Sequence, residues 1–160
     1  MDKAEIQNLI KELIEKTTVA VKNISVSEDI PKSTWYSVEV NEPHFFVSRD
    51  GEALFALNHL VRRIVESKMA PVVVAGTSPD LDFLIDINGF QKKRVDSVKA
   101  VAHMMAERAR YFKSNIEVDP MSAFERKIVH EFLSDATDLK TESLGVGGAR
   151  RVVIKYIGSI

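Results

Sequence analysis

The feature that most constrains the fold is an apolar stripe running through residues 95–112. Its members recur at alternating spacings of three and four residues, the period of one face of an α-helix. They are Val95, Val98, Ala102, Met105, Ala109 and Phe112. A single stripe of this length predicts one long helix that is buried on one side only. In a chain of 160 residues it leaves room for one medium domain or two small ones.

Shorter helices and strands are predicted around the long helix from β-branched runs, helical spacing and turn residues. Asp2 and Glu5 resemble a capping box at the start of the first helix. The predicted order is a helix to about residue 16, an antiparallel strand pair at 18–28 and 34–40, a sharp break at 48–51, a helix at 51–68, a buried strand at 83–87, the long helix, a strand at 115–118, a helix at 121–134, and strands at 139–144 and 149–157 joined by the turn GVGG. Residues 70–82 could hold a further short strand. This order predicts an α+β protein of two units, each a small sheet packed with helices.

The composition argues against several classes of protein. The chain has no cysteine, which excludes disulfides and thiolate metal sites. No apolar run approaches the roughly 20 residues of a membrane-spanning helix. The N-terminus alternates charged residues with isoleucine and leucine, unlike a signal or transit peptide. A cytoplasmic protein is therefore expected.

The net charge of −1 conceals an uneven distribution. Residues 1–82 contain 9 Lys or Arg and 13 Asp or Glu, a balance of −4. Residues 83–160 contain 13 Lys or Arg and 10 Asp or Glu, a balance of +3. A polyanion is therefore expected to meet the C-terminal half first.

The segment FERKIVHEFL, residues 124–133, places Arg126 and His130 four residues apart on a predicted helix. At about 100° per residue, four residues are predicted to face the core: Met121, Phe124, Ile128 and Phe132. The Arg–His pair is predicted on the opposite, exposed side, where alanine at either position would change stability by less than about 0.5 kcal/mol. Such a pair could hold a phosphate, although an isolated exposed pair is more often ordinary solvated surface.

Three separated runs place the pair in a wider pattern: DINGFQKKR, MAERARYFKSNIEVDPMSAFERKIVHEFL and KTESLGVGGARRVVI. Together they resemble the Jag (SpoIIIJ-associated) family of bacterial RNA-binding proteins. Members pair a KH domain with a domain named for its Arg-x-x-x-His spacing, here the R-three-H domain. The resemblance implies a type II KH-like unit at residues 1–88 and an R-three-H unit at 89–160, with Arg126 and His130 at the signature positions.

The function implied by the resemblance is non-catalytic binding of single-stranded nucleic acid, with RNA favoured and DNA left open. The resemblance also implies a second small KH-domain protein as a partner, and cell elongation or envelope growth as the process; self-association through the KH half is the alternative partnership. The alternative is a protein-interaction scaffold in which the KH half has lost RNA binding.

Further basic residues are candidate contacts in the C-terminal half. Lys92, Lys99, His103 and Arg110 fall within about 20° of one line on the long helix. Lys127 lies beside the signature pair, and Arg150 and Arg151 follow the GVGG turn. If these surfaces converge, they form a basic groove that could follow a phosphate backbone. The alternative is an ordinary solvated face.

The KH half is expected to bind weakly. The family's KH domain holds nucleic acid with a G-x-x-G loop between two helices. The matching residues are Ser48, Arg49, Asp50 and Gly51. Serine replaces the first glycine, and the aspartate repels phosphate. An intact fold with a weak contact through Arg49 and Gly51 is therefore predicted.

Catalysis, cofactors and metals are not expected. His130 and Glu131 begin like a zinc-protease motif, but Ser134 occupies the place of the second histidine. Asp80, Asp82 and Asp86 could suggest a metal cluster, yet they are predicted in a turn and at a strand end.

Overall fold

The computed structural model describes residues 1–29, 33–69 and 82–158. It divides into two compact units, Met1–Gln91 and Lys92–Ile160. The α+β class is confirmed, because the described part of each unit combines helices with a three-stranded sheet. The further short strand considered at 70–82 lies almost wholly outside the described residues, and Asp80 lies outside them too.

The first unit follows the predicted order of helices and strands. Its elements are α1 (Lys3–Glu15), β1 (Val21–Asp29), β2 (Ser33–Val40), α2 (His44–Met69) and β3 (Phe83–Ile87). The capping box is present, since Asp2 accepts from the Glu5 amide and Glu5 accepts from the Asp2 amide, each at 2.8 Å. β1 is antiparallel to β2, as predicted, and β2 is parallel to β3.

The core of the first unit lies between one face of this sheet and the helices. Alternate residues of β2, namely Tyr36, Val38 and Val40, are buried there. The ring of Tyr36 meets that of Phe83 edge to face, with centroids 5.9 Å apart. α1 adds Ile6, Ile10 and Ile14, which are its buried residues.

Side chains of α2 cover the outer edge of β3. Asn58 exchanges two hydrogen bonds with the backbone of Ile85, at 2.8 and 3.0 Å. One turn later, Arg62 Nη2 donates to the Phe83 carbonyl at 3.2 Å. These bonds satisfy backbone groups that point away from β2, so this edge is closed to another strand.

The second unit contains the long helix predicted from the apolar stripe. Its elements are α3 (Phe90–Phe112, whose first two residues belong to the first unit), β4 (Ile116–Glu117), α4 (Ala123–Phe132), β5 (Leu139–Leu144) and β6 (Arg151–Tyr156). The sheet has the order β4-β6-β5 and is antiparallel throughout. The GVGG turn joins β5 to β6 as a hairpin, as predicted.

The apolar stripe of α3 differs from the prediction near its end. Its buried residues are Val95, Val98, Ala102, Ala106 and Ala109. Ala106 takes the inward position that the spacing predicts for Met105, and Phe112 is 63% exposed. The alternating three–four count drifts against the true period of 3.6 residues, so its last members leave the buried face.

The predicted core face of α4 is wrong in part. Ile128 is fully buried as predicted, but the other buried residues here are Val129 and Leu133. Phe132 is 40% exposed, and Phe124 is half-buried. The helix is therefore rotated from the predicted orientation, because its contacts with β5 and β6 decide which side is covered.

Candidate nucleic-acid interface

The ring of His130 joins α4 to β5. Nδ1 lies 2.7 Å from the Thr141 hydroxyl oxygen, and Nε2 lies 2.8 Å from that of Ser143. A neutral imidazole has one donor and one acceptor nitrogen, so one hydroxyl accepts and the other donates. Residues two apart on a strand share a face, which is why a single ring reaches both hydroxyls.

This environment favours the neutral form of His130. Burial lowers the pKa of His130 below its ordinary value of 6.5, and the positive charge of Arg126 lowers it further. The two hydroxyls facing the ring carry no charge that would oppose this shift. The histidine therefore acts mainly as a hydrogen-bonding link between helix and strand near neutral pH.

The backbone of Met121 hydrogen-bonds both Arg126 and Arg150. Its Nη1 donates to the Met121 carbonyl at 2.7 Å. The Met121 amide in turn donates to the Arg150 carbonyl at 3.2 Å. Neither arginine has an ion pair with a residue of 82–158, and the Arg150 side chain is exposed. Met121 therefore connects the side chain of Arg126 to the backbone of Arg150.

The signature pair is less exposed than the sequence indicated. Arg126 and His130 lie opposite Ile128 on α4, as expected, but both are half-buried and hydrogen-bonded. The structure thus removes the reason for expecting alanine to be harmless at either position, since a missing partner leaves half-buried polar groups unsatisfied. We call the group Arg126, His130, Thr141, Ser143 and Arg150 the α4–β5 surface.

Arg151 is not on the same face of the sheet as the two hydroxyls. Cross-strand partners share a face, and Thr141 pairs with Ile154 while Leu144 pairs with Arg151. Arg151 therefore points to the opposite face, where its Nη1 lies 3.4 Å from Glu117. The strand register therefore contradicts a single groove lined by all the predicted basic residues.

Arg110 is committed to ion pairs. Its guanidinium binds Asp138 through two hydrogen bonds, at 2.7 and 3.0 Å, and Glu107 at 2.6 Å. The bond from Arg110 lowers the pKa of Asp138 below its usual value. With its charge matched by two carboxylates, Arg110 ties α3 to the segment before β5 and adds little to a positive surface.

The remaining predicted contacts of the second unit stay predictions. Lys127 is exposed and lies 4.0 Å from Glu131, one helical turn away. Lys92 is exposed on α3, and Lys99 is half-buried. Arg94, which was not singled out from the sequence, forms a 3.0 Å ion pair with Glu125.

The break predicted at residues 48–51 interrupts α2. Ser48 is extended, with φ −62° and ψ 159°, and three left-handed residues follow. Their φ values are 51° at Arg49, 59° at Asp50 and 82° at Gly51. The Ser48 hydroxyl donates to the His44 carbonyl. Serine is thus compatible with its backbone here, whereas Arg49 and Asp50 occupy a region that favours glycine.

Gly51 has a packing role. It is buried, and a Cβ built on it would lie 2.6 Å from the ring of Phe90. A buried glycine offers no surface to a phosphate, so the structure does not place Gly51 as a contact. Arg49 is exposed and lines an open depression of about 500 Å³ with His44 and Phe45.

The described residues give no sign of a metal site or a membrane span. They contain no group of three or more His, Asp or Glu side chains that could hold a metal ion. No helix among them is long and apolar enough to cross a bilayer.

Comparison with known proteins identifies the class of the second half. Residues 96–156 match the family model of the R-three-H domain. Residues 96–156 therefore form an R-three-H domain, which the sequence resemblance predicts for this part of the chain, and α4 with its Arg–His pair lies inside it.

The relatives are bacterial RNA-binding proteins. The chain is 24% identical over 158 residues to the RNA-binding protein KhpB of Bacillus subtilis (strain 168), covering 98% of this chain and 72% of that protein. It is 22% identical to RNA-binding protein KhpB of Clostridium symbiosum, covering 91% and 62%. The resemblance to the Jag family is confirmed by these matches, and the chain spans only part of its relatives' length. The KH assignment of residues 1–88 stays a prediction.

Two residues of the α4–β5 surface were missed from the sequence. Thr141 and Ser143 alternate with charged Lys140 and Glu142 in the strand LKTESL. That alternation indicates two faces but not which partner each face meets. Only the approach of α4 identifies the hydroxyls as the partners of His130.

Proposed function

We propose that the chain binds single-stranded nucleic acid at the α4–β5 surface, with RNA favoured over DNA, and that it performs no chemistry. The observation that carries the proposal is that Met121 hydrogen-bonds both the Arg126 guanidinium and the Arg150 backbone carbonyl, and that Arg126 lies one helical turn from the hydrogen-bonded His130. Relatives named RNA-binding proteins, and the domain that contains α4, support the same ligand.

The chemistry of the surface suits a phosphate backbone. An arginine guanidinium offers several donors in a planar fork that matches phosphate oxygens. The hydroxyls of Thr141 and Ser143 can each make a further hydrogen bond beyond the one to His130. The surface is small, so affinity would come from a few phosphate contacts and would fall with salt.

Binding without catalysis is consistent with the state of the histidine. Both ring nitrogens of His130 are hydrogen-bonded to hydroxyls. Both nitrogens are therefore engaged within the protein, which suits a histidine that links helix and strand beside a bound ligand.

In this proposal the first unit is a KH-like domain that adds a weak second contact. Arg49 would meet a phosphate at the mouth of the depression beside the break at 48–51. A second KH-domain partner and a role in cell elongation or envelope growth remain predictions from the resemblance. A cytoplasmic location remains a prediction from the composition. Self-association and a scaffold role of this unit remain alternatives that follow from its altered loop.

Fluorescence anisotropy with a labelled mixed-sequence RNA 16-mer, and the DNA of the same sequence, tests the proposal. Arg126→Ala and Arg150→Ala should each weaken RNA binding about tenfold, the equivalent of one charged hydrogen bond. The slope of log affinity against log salt should become shallower by about 0.7 for each phosphate that the variant no longer binds.

Lys140→Ala is the matched control. It removes the same charge from an exposed position on β5, but from the sheet face opposite Thr141. Equal losses in the control and the arginine variants would contradict the assignment of the α4–β5 surface. Binding that is indifferent to salt would contradict phosphate recognition altogether.

A further inference from the structure

Two adjacent aromatic rings at the end of α3 are exposed to solvent. Tyr111 is 82% exposed and Phe112 is 63% exposed. Their ring centroids are 5.0 Å apart and their planes are nearly perpendicular, at 89°. Single exposed apolar residues are common on protein surfaces, but two neighbouring aromatic rings this open form a small apolar patch that a ligand can cover.

The position of Tyr111 on the helix prevents its burial within the unit. It follows the fully buried Ala102 by nine residues, which at 100° each places it about 180° around α3. The ring therefore points away from the core of its unit. Its exposure is a property of the helix and not of one side-chain rotamer.

The charges around the rings favour an anionic ligand. Arg108 lies one turn before Tyr111 on the same helix face, and Lys113 follows Phe112. Both are exposed, and neither has an ion pair with any residue of 82–158. Arg110, in contrast, is compensated by Asp138 and Glu107. Flat rings flanked by two open cations suit a base next to its phosphates better than an apolar protein surface.

We propose that Tyr111 and Phe112 form a stacking platform for unpaired bases, and that Arg108 and Lys113 contact the adjoining phosphates. This rests on the proposed function and deepens it, because it adds a base-binding site outside the signature motif. Stacking accepts every base, so the platform would strengthen binding of single strands without selecting a sequence.

The test compares a normal RNA 16-mer with an oligomer of the same length in which abasic sites replace the bases. The double variant Tyr111→Ala/Phe112→Ala should bind the normal RNA about 5- to 100-fold more weakly, the range for removal of base–aromatic stacking. It should bind the abasic oligomer as wild type does. The single variant Tyr111→Trp, which keeps Phe112 and an aromatic ring at position 111, should bind the normal RNA as tightly as wild type or more tightly.

Met104→Ala is the control, since Met104 is 53% exposed on the same face of α3, seven residues before Tyr111. It should leave binding unchanged. Unchanged binding of normal RNA by the double variant, an equal loss in Met104→Ala, or an equal loss with the abasic oligomer would each overturn the platform. Anionic lipid vesicles that bind the wild type but not the double variant, with RNA affinity unaffected, would identify a membrane surface instead.

The two proposals fail separately. RNA binding that depends on Arg150 but not on Tyr111 or Phe112 would overturn the platform and leave the proposed function standing. A wild-type protein that binds neither RNA nor DNA would overturn both.

Discussion

The break at residues 48–51 and the α4–β5 surface present arginine in opposite ways. Arg49 is held out by the backbone, in a left-handed conformation within an exposed turn. Arg126 is held by a side-chain hydrogen bond to Met121, next to a histidine bonded across to β5. The first site depends on local strain, whereas the second includes a histidine held by a tertiary contact, so the same kind of mutation should affect them differently.

The largest difference is expected for removing a side chain that makes tertiary contacts. His130→Ala should lower the free energy of unfolding by about 2 kcal/mol, because two half-buried hydroxyls lose their partner. Lys127→Ala, an exposed position three residues earlier, should change it by less than about 0.5 kcal/mol. Urea unfolding of both variants measures the contrast. Equal stability of the two variants would show that the His130 hydrogen bonds make no net contribution to the free energy of unfolding.

The opposite sign is expected at the strained site. Arg49→Gly should raise the free energy of unfolding by up to about 1 kcal/mol, because glycine adopts φ 51° without a steric cost. Ser48→Gly in the same turn should not stabilise, since Ser48 is extended and its hydroxyl bonds to His44. The same urea experiment compares them. A destabilised Arg49→Gly variant would mean that the turn is held by contacts of the arginine side chain and not by its backbone.

A smaller effect on binding is expected from the charge of the turn. Asp50→Lys should tighten binding of an RNA long enough to reach both units by at most about 1 kcal/mol, since exposed charges are screened. Asp50→Asn, which removes the negative charge without adding a positive one, should give about half of that gain. Anisotropy titrations at two salt concentrations measure both. No gain in either variant, with the fold intact, would favour the scaffold reading of the first unit.

The smallest effect is expected in the pH dependence of stability, and only at the α4–β5 surface. Because the folded-state pKa of His130 lies below 6.5, the unfolded chain binds a proton that the folded chain does not. Stability should therefore be full above about pH 6.5 and decline as the pH falls toward the lowered pKa.

The variant His130→Gln should remove this decline between about pH 7.5 and 5.5, a range above the titration of most carboxylates. His103→Gln, at an exposed position on α3, is the control and should keep it. The test is to measure the urea midpoint of wild type, His130→Gln and His103→Gln across this pH range. A decline that persists in His130→Gln would have to come from other groups.

Much of the candidate site could be anticipated from the sequence, but its geometry could not. The spacing of Arg126 and His130, the break at 48–51 and the turn before Arg150 are all local features. The partners of His130 and Arg110 are more distant in sequence: Thr141 lies 11 residues from His130, and Asp138 lies 28 residues from Arg110. Periodicity gives a helix its faces, whereas the neighbours that each face meets depend on packing.

The sequence by itself determined the order of helices and strands, the capping box of α1, the places of the turns and the family of the second half. These follow from interactions between residues a few positions apart, which spacing and residue type express directly. The tertiary structure alone decided the rotation of α4, the closed edge of β3, and the pairing of Arg110 with carboxylates. It also placed Arg151 and Thr141 on opposite sheet faces, because strand register sets which residues share a face and a shift of one residue would exchange them.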